Sequence, residues 1–516
     1  MPLELAQPGQ RVTIAASSPT SARAAAEVAD RGGNAVDAAL AATLTSLCLD
    51  VGLVAPLGSG FLHIWPRDGE PILIDAYAEV PGRGLTPERR AVRPESVYME
   101  YGGGVTTLIG YASVATPGAF LGMAQASARF GALPWKDVLE PVIRIVDEGF
   151  PLAPASLRYL FYSGEPIFGW HPDSRTALFK DGRLRRGEER VRIPALVESL
   201  TRIADEGVGC LHGGELGKRI TDDVQRHEGL LTLEDLAAYE AVAREPVRIR
   251  AGDWEVAVNP APAFGGVTLA AMLLLLDGFD AWSESGTRRM IEAQRAVLDY
   301  RGARLERGDD LELVGQAARE LIDSARNGEL PGPGSSPSTI HTSAVDRDGL
   351  ACSITMSAGY GSGAMADGTG LWLNNSLGEI ELIGADAGPL PPGTRLQSNM
   401  APTIARRSDG AMLAVGSPGA GRIATAITQV LANYVHVGLP LWESITHPRL
   451  HVEDFEGRSA VAFEAGLPQP ELAEVHVRSF EGTDMYFGGI QAVQLDGDEL
   501  CGGADPRRDG AVASGG

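Results

Sequence analysis

The sequence predicts a globular protein of mixed helices and strands, and two observations support this. Residues 134–149, PWKDVLEPVIRIVDEG, carry apolar side chains at i, i+3, i+4 and i+7, which is the spacing of one helix face. Residues 339–346 and 350–357, TIHTSAVD and LACSITMS, are β-prone runs joined by Arg-Asp-Gly, which is typical of a hairpin. Of the 516 residues, 44% are hydrophobic and 22% are charged, so the chain can bury a large core.

The N-terminal part alternates helical and β patterns. Gly32-Gly33-Asn34 followed by an Ala/Leu run predicts a helix, its C-cap and a second helix that is apolar enough to be buried. The predicted elements are, in order, this helix pair over 21–50, a β-rich piece that begins in 55–65, a strand over 71–81 that ends near Tyr77, and a helix over 111–131 entered through Pro117-Gly118.

The middle of the chain, 150–330, is predicted to be mainly helical. A helix over 232–242, TLEDLAAYEAV, is expected to begin at a threonine N-cap with an aspartate in its first turn. A hairpin-like piece over 246–266 interrupts the helices. After residue 338 the composition shifts to short strands and Gly-rich turns.

Charge and cysteine content limit the partners. A net charge of −23 leaves no basic surplus to release counterions from a phosphate backbone, so no nucleic-acid partner is expected. The most apolar stretch, 267–279, is far shorter than the ~20 residues of a membrane span, and the start of the sequence shows no secretory signal. The four cysteines have no metal-type spacing and predict buried free thiols; they are Cys48, Cys210, Cys352 and Cys501. We therefore expect a cytoplasmic protein without a membrane or metal partner.

The hairpin determines which residues face each other. With a three-residue loop and glycine at its left-handed third position, residue 346 pairs with 350. Thr339 then faces Ser357, with their Cβ atoms about 5 Å apart. A two-residue Asp-Gly turn would instead place Thr339 opposite Ala358, and the sequence leaves both turns open.

A flexible segment, PGPGSSPS, runs directly into Thr339. An ordinary loop-to-strand junction explains this, and so does a site where the chain is cut. A threonine hydroxyl is a weak nucleophile without a base, and the threonine's own α-amino group, which titrates near ~7.7–8.0, can be that base. Attack of the Thr339 hydroxyl on the Ser338 carbonyl would create this amine. His341, on the same strand face, is interpreted as a core histidine with satisfied hydrogen bonds.

Nine segments, in one order and over nearly the whole length, resemble the γ-glutamyltranspeptidase family of N-terminal nucleophile hydrolases. They are RGGNAVDAALAATL, LGSGFL, ATPGAFLGM, NPAPAFGGVTL, STIHTSAVDRDG, YGSG, LWLNNSLGE, RLQSNMAPTI and GSPGAGRI. The resemblance implies an α+β fold, a four-layer αββα sandwich with two stacked antiparallel sheets. It also implies self-cleavage into a large subunit, 1–338, and a small subunit, 339–516, which together remain one structural domain. Whether two such pairs form a dimer is left open.

The same resemblance assigns catalytic roles. Thr339 takes the place of the nucleophile, and Ser357 that of the hydroxyl that contacts it. Gly419 and Ala420, in GSPGAG, take the place of the family's Gly-Gly oxyanion site. Because that site uses backbone N–H groups, alanine removes no donor if its backbone conformation is tolerated. No cofactor is implied.

The substrate pocket departs from the family pattern in three places. Tyr77 stands where the family has the arginine that holds the γ-glutamyl α-carboxylate, and loss of such a clamp removes about 1.5–3 kcal/mol. The other substrate-binding positions are Asn375, Ser376 and Glu379, in a segment where the family has Gln-x-x-Asp after its Asn-Asn pair, and Ser398-Asn399, where it has Ser-Ser. These changes favour an acyl group other than γ-glutamyl.

We therefore expect an amidohydrolase or acylase that acts on a small-molecule amide. Two alternatives remain. A true γ-glutamyl hydrolase or transpeptidase, acting on glutathione-like compounds, would need a carboxylate clamp from elsewhere, such as Arg395. An uncleaved pseudoenzyme would serve as a binding protein.

Overall fold

The computed structural model describes residues 3–101, 104–305, 311–327, 339–380, 390–455, 457–472 and 475–516. Ser338, on the N-terminal side of the predicted cut, lies outside these residues, whereas Thr339 lies within them.

The strands are numbered along the chain. They are β1 (Leu3–Leu5), β2 (Val12–Ala16), β3 (Ser59–Trp65), β4 (Ile72–Ala76), β5 (Glu95–Met99), β6 (Val105–Ile109), β7 (Phe179–Lys180), β8 (Arg183–Leu184), β9 (Val242–Arg244), β10 (Val247–Ala251), β11 (Trp254–Val258), β12 (Ile340–Asp346), β13 (Ala351–Ser357), β14 (Thr403–Arg407), β15 (Met412–Gly416), β16 (Leu450–Phe455), β17 (Arg458–Glu464), β18 (His476–Phe480), β19 (Gln491–Asp496), β20 (Glu499–Ala504) and β21 (Ala511–Gly515).

The helices are numbered in the same way. They are α1 (Pro19–Asp30), α2 (Ala35–Leu49), α3 (Pro87–Arg90), α4 (Ala119–Phe130), α5 (Trp135–Glu148), α6 (Pro154–Ser163), α7 (Pro172–Leu178), α8 (Pro194–Glu206), α9 (Glu215–Arg226), α10 (Leu233–Ala238), α11 (Gly265–Leu275), α12 (Glu284–Arg304), α13 (Leu311–Asn327), α14 (Arg422–Leu431) and α15 (Leu441–Thr446).

Two antiparallel sheets of seven strands form the centre of the protein. Sheet I has the order β1-β20-β19-β15-β14-β11-β10, and sheet II has the order β21-β2-β12-β13-β3-β4-β9. β12 and β13 of sheet II pack against β15 and β19 of sheet I. Helices α1, α2 and α4 pack on the outer side of sheet II, with α5 packed against α2. Helices α11 and α14 pack on sheet I, with α12 and α13 packed against α11. The predicted four-layer αββα sandwich is confirmed.

Helix α2 shows why the outer layer holds to sheet II. Its sequence is apolar on all sides, and all fifteen residues are buried between α1, α5 and the strands. Its N-terminus is closed by a capping box, in which Asn34 accepts from the backbone N–H of Asp37 and Asp37 accepts from that of Asn34. The predicted break and buried second helix are confirmed.

Helix α10 is shorter than the predicted helix over 232–242. It begins at the expected threonine cap, which also forms a capping box with Asp235, but it ends at Ala238. Tyr239 is extended, and its hydroxyl donates to the backbone oxygen of Tyr77 at 2.7 Å. The chain then forms β9 on the edge of sheet II, so tertiary pairing overrides the helical propensity of the last residues.

The layer between the two sheets is partly polar. His341 is fully buried, and its ring nitrogens lie 2.8 Å from Thr355 Oγ1 and 2.9 Å from Ser343 Oγ. Burial lowers the pKa of His341 to about 3, so the ring is neutral. A Cβ on Gly416, in the facing sheet, would lie 2.2 Å from the His341 ring. The interpretation of His341 as a satisfied core histidine is confirmed.

Further sequence expectations concern the cysteines, membrane spans, metal sites and the location of the protein. All four cysteines are free and buried, as predicted. In the described ranges no helix combines the length and apolarity needed to cross a membrane, and no cluster of three or more His, Cys, Asp or Glu side chains could hold a metal ion. The cytoplasmic location stays a prediction.

Candidate active site

The β12–β13 hairpin has the register of a three-residue loop. Ile340 pairs with Met356, and the backbone N–H of Asp346 donates to the oxygen of Leu350 at 3.1 Å. Gly349 occupies the left-handed third position with φ +79°. The two-residue turn is therefore wrong, and Thr339 lies one position before the Ile340 pair, opposite Ser357.

The same register continues across sheet II. Ser357 pairs with Ser59 in β3, and Gly60 pairs with Ala76 in β4, so the next position beyond β4 places Tyr77 opposite Ser59. Thr339, Ser357, Ser59 and Tyr77 thus form one row at the same end of four adjacent strands. At a strand spacing of about 4.8 Å, the row is about 14 Å long. Thr339, the predicted nucleophile, and Tyr77, in the predicted acyl pocket, therefore lie at the same end of the sandwich.

Thr339 is buried, and its immediate surroundings come from distant parts of the chain. It lines a small cavity of about 10 Å³, close to the volume that one water molecule needs. The cavity is also lined by four polar side chains that the sequence analysis did not identify: Ser17, Asp50, Gln491 and Arg508. No local pattern marks these residues, because they come from four distant segments that meet only in the folded chain.

Asp50 places a carboxylate beside the candidate nucleophile. It follows helix α2 and accepts a hydrogen bond of 2.5 Å from Ser17 Oγ. Burial raises the pKa of Asp50 to about 6, although the hydroxyl groups of Ser17 and Ser46 partly offset this by stabilising the charged form. The site therefore contains a carboxyl group that changes charge just below neutral pH.

Gly419 and Ala420 have the features of an oxyanion site. They directly follow Pro418, which lines the Thr339 cavity, and they precede the N-terminus of α14. Within the described part of the chain, neither backbone N–H donates a hydrogen bond. Gly419 has φ +129°, and a Cβ there would lie 2.8 Å from the Cα of Gly488. Ala420 has φ +63°, a left-handed conformation that costs an alanine about 1–2 kcal/mol.

The structure brings Tyr77, Glu379 and Ser398 together in the predicted acyl pocket. The Tyr77 hydroxyl hydrogen bonds with the side chain of Ser398, and its ring stacks on Phe61 with 5.4 Å between centroids. Burial, and then the Glu379 charge, raise the pKa of Tyr77 well above its usual range. Tyr77 is therefore a neutral hydrogen-bonding group at neutral pH.

The other three predicted pocket residues differ in how many of their polar atoms already have hydrogen-bond partners. Asn375 is saturated: its Oδ1 accepts from two backbone N–H groups, and its Nδ2 donates to Thr107 Oγ1 and to a backbone oxygen. Ser376 is buried, and its N–H donates to Asn374 Oδ1. Asn399 is buried, and among the described residues neither atom of its amide group has a partner.

Arg395 does not lie free to bind a substrate carboxylate. Its Nη1 donates to the backbone oxygen of Tyr77 at 2.5 Å and to the Tyr239 hydroxyl at 2.6 Å. Its Nη2 donates to the backbone oxygen of Glu240 at 2.7 Å and lies 3.2 Å from Glu79 Oε1. The Arg395 guanidinium is therefore buried against the backbone of Tyr77, and its donors are used within the protein.

The chain matches known proteins along nearly its whole length. The sequence profile described as Gamma-glutamyltranspeptidase matches residues 21–515. A glutathione hydrolase proenzyme of Pseudomonas aeruginosa is 31% identical, and the alignment covers 96% of this chain and 93% of the relative. An Acylase ACY 1 proenzyme of Pseudomonas sp. strain SE83 is 29% identical, with coverage of 97% and 93%.

A solved structure shares the fold. The crystal structure of cephalosporin acylase from Bacillus halodurans superposes with a TM-score of 0.79 at 23% identity, covering 99% of this chain and 96% of that chain. Together with the profile match, this shows that the chain is an enzyme that belongs to the gamma-glutamyltranspeptidase family of N-terminal nucleophile hydrolases.

Proposed function

We propose that this enzyme is a self-processing amidohydrolase or acylase whose nucleophile is Thr339. The observation that supports this most strongly is the row of Thr339, Ser357, Ser59 and Tyr77, because it places a hydroxyl nucleophile and the predicted acyl pocket at the same end of the sandwich. The proenzyme names of two relatives support processing of the chain.

The first step is intramolecular. Thr339 Oγ attacks the carbonyl carbon of Ser338 and displaces the Thr339 nitrogen, which forms an ester and a free α-amine. Water then hydrolyses the ester, releasing a Ser338 carboxylate and regenerating the Thr339 hydroxyl. The products are a large subunit, 1–338, and a small subunit, 339–516.

The second reaction uses the new amine as the base. The α-amine of Thr339 accepts the hydroxyl proton while Oγ attacks the substrate amide carbon. The N–H groups of Gly419 and Ala420 stabilise the oxyanion, a contribution typically of ~10²–10³ in rate for one donor. The ammonium then returns its proton to the leaving amine, and water or a second amine releases the acyl group from Oγ. Ser357 orients Oγ in this scheme.

We further propose that the acyl group is not γ-glutamyl. Tyr77 and Ser398 offer neutral hydroxyl groups where a charged α-carboxylate would need a cation, and Arg395 is already bound to Tyr77, Tyr239 and Glu79. The similarity to an acylase proenzyme supports a non-glutathione substrate. The equally long match to a glutathione hydrolase proenzyme supports the second candidate function, that of a true γ-glutamyl enzyme.

Processing is tested on a denaturing gel. The 54.3 kDa chain should yield fragments of about 35 and 19 kDa, and sequencing of the smaller one should begin Thr-Ile-His-Thr. Thr339→Ala should abolish cleavage and turnover, while Thr339→Ser, which keeps a hydroxyl, should retain both. Thr342→Val is the matched control, because that buried hydroxyl on the opposite strand face has no partner in the described structure. Cleavage in Thr339→Ala would show that the nucleophile is wrong.

Substrate class is tested with anilides that share one leaving group. Short aliphatic acyl, dicarboxylic acyl and γ-glutamyl 4-nitroanilides should be compared by kcat/KM. We expect the short aliphatic acyl anilide to be the better substrate, because a dicarboxylic or γ-glutamyl group would bring a carboxylate to a pocket where Glu379 lies near Tyr77 and the donors of Arg395 are already used. Faster turnover of the γ-glutamyl anilide would favour the second candidate function.

A further inference from the structure

Two adjacent arginines near the C-terminus have opposite environments. Arg507 is saturated, since it contacts the carboxylates of Glu464 and Asp505 and also donates to two backbone oxygens. Arg508 is equally buried, with 4% of its surface exposed, yet among the described residues its Nε and Nη1 have no hydrogen-bond partner and no carboxylate lies within 4 Å of its guanidinium. A buried guanidinium with unused donors is costly unless an anion completes it.

Arg508 lies between two cavities. It lines the small cavity of Thr339, and its Nη2 lies 3.8 Å from the position that a Cβ on Gly419 would occupy. The same Nη2 donates to the backbone oxygen of Met485 at 3.1 Å, and the guanidinium interacts with Tyr101. Met485 and Tyr101 both line a second, much larger cavity. The Arg508 side chain therefore lines the Thr339 cavity and also contacts two residues that line the larger one.

The larger cavity has a volume of about 720 Å³, enough for a small organic molecule. Its walls include the aromatic rings of Tyr101, Phe161, Tyr162 and Tyr486. It also contains Arg422, which stacks on Tyr486 and has no carboxylate partner among the described residues. The cavity therefore has aromatic walls and an arginine without a carboxylate partner, and the acidic residue Asp484 also lines it.

We propose that Arg508, assisted by Arg422, binds a carboxylate on the leaving amine of the substrate, and that the aromatic cavity holds the body of that amine. This inference rests on the proposed function. The substrate class is an N-acylated amino acid or aminobenzoate type of compound, with a planar or apolar body and a carboxylate near the scissile amide.

The position of Arg508 favours the leaving group as the source of the carboxylate. From Thr339 the row toward Tyr77 runs through β13, β3 and β4. Ser17, which shares the Thr339 cavity with Arg508, follows β2 on the opposite side of β12. The acyl group and the leaving amine occupy opposite sides of the attacked carbon, so an acyl group directed to Tyr77 leaves the Arg508 side for the amine.

The test compares two anilides with the same acyl group: the 4-nitroanilide and the 3-carboxy-4-nitroanilide. The processed wild-type enzyme should prefer the carboxylated leaving group by at least about tenfold in kcat/KM, the size of one charge-assisted interaction. Arg508→Gln should reduce this ratio to near one, and Arg508→Lys should retain part of it. Arg407→Gln, at the far end of β14, is the matched control and should keep the wild-type ratio.

The outcomes separate this inference from the proposed function. Absence of cleavage and of turnover on every anilide would overturn the function itself. Turnover of the neutral anilide without a preference for the carboxylated one, or a preference that survives Arg508→Gln, would overturn only the carboxylate site. If Arg508→Gln instead removes a preference for glutaryl over butyryl 4-nitroanilide, the carboxylate belongs to the acyl group and the assignment is wrong.

A measurement on the wild-type enzyme makes the test independent of variant folding. 4-Aminobenzoate and aniline should be compared as competitive inhibitors of neutral anilide hydrolysis. We expect 4-aminobenzoate to inhibit at a concentration at least about tenfold lower. Equal inhibition would contradict a carboxylate site on the leaving-group side.

Discussion

Arg395 donates a 2.5 Å hydrogen bond to the backbone oxygen of Tyr77, the residue that we predict to replace the family's carboxylate-binding arginine. The donors of Arg395 thus hold the backbone at Tyr77 and the neighbouring Tyr239 and Glu240. The carboxyl groups of Glu79 and Asp75 lie 3.2 and 3.9 Å from the same guanidinium and balance its charge. Arg395 therefore acts on the pocket through Tyr77.

Arg395→Met should destabilise the fold by about 3–5 kcal/mol, because it leaves buried carboxylates without their cation. Arg395→Lys should cost less, since it keeps the charge but loses the planar set of donors. Urea unfolding of both variants checks this. A rise in KM without loss of stability in Arg395→Lys would show that Arg395 binds substrate directly.

Ala420→Gly should stabilise the protein by up to about 1 kcal/mol. Glycine removes the strain of φ +63°, and its greater flexibility in the unfolded chain offsets only part of that gain. Ala126→Gly, in the interior of α4, is the matched control and should destabilise. Equal losses in both variants, measured by urea unfolding, would mean that Ala420 is not strained.

Gly416→Ala should destabilise the contact between the sheets by about 1–3 kcal/mol or more, because the new Cβ would overlap the His341 ring at 2.2 Å. Gly209→Ala is the control, since a Cβ there meets nothing within 4 Å. We expect Gly416→Ala to slow processing as well, because β15 leads directly into Gly419. Thermal unfolding and the rate of fragment formation measure the two effects.

His341 should make stability depend on pH. Its pKa is about 3 in the folded protein and near 6.5 when unfolded, so the unfolded state binds the extra proton between these values. The stability advantage of wild type over His341→Gln should be complete above pH 6.5. It should shrink by about 1.4 kcal/mol per pH unit as the pH falls toward 4. Urea unfolding in a Thr339→Ala background, at pH 7 and pH 5, checks this; a constant difference would contradict it.

Local patterns predicted much of the framework. The Ala/Leu run after Asn34 indicated a buried helix. The Arg-Asp-Gly loop indicated a hairpin with two possible registers, and the structure has the one that places Thr339 opposite Ser357. Both depend on neighbouring residues only. The end of α10 was wrong because Tyr239 makes its decisive hydrogen bond to Tyr77, 162 positions away.

The surroundings of Thr339 could not be predicted in the same way. Ser17, Asp50 and Arg508 converge from the two ends of the sequence, and none belongs to a spaced motif. Arg395 was a reasonable candidate clamp by charge alone, and only its contacts show that its donors are used. A buried charge reveals its role through its partners, which a linear sequence does not show.

The interleaved order of sheet II has a thermodynamic consequence for a cut chain. β12 and β13 follow residue 339 in the chain, whereas their neighbours in the sheet, β2 and β3, precede it. The two parts of the chain are therefore hydrogen-bonded to each other between β2 and β12 and between β13 and β3. Once the Ser338–Thr339 bond is hydrolysed, unfolding becomes a dissociation, and its midpoint depends on protein concentration by mass action. Dilution would then weaken the processed enzyme while leaving the Thr339→Ala chain unaffected.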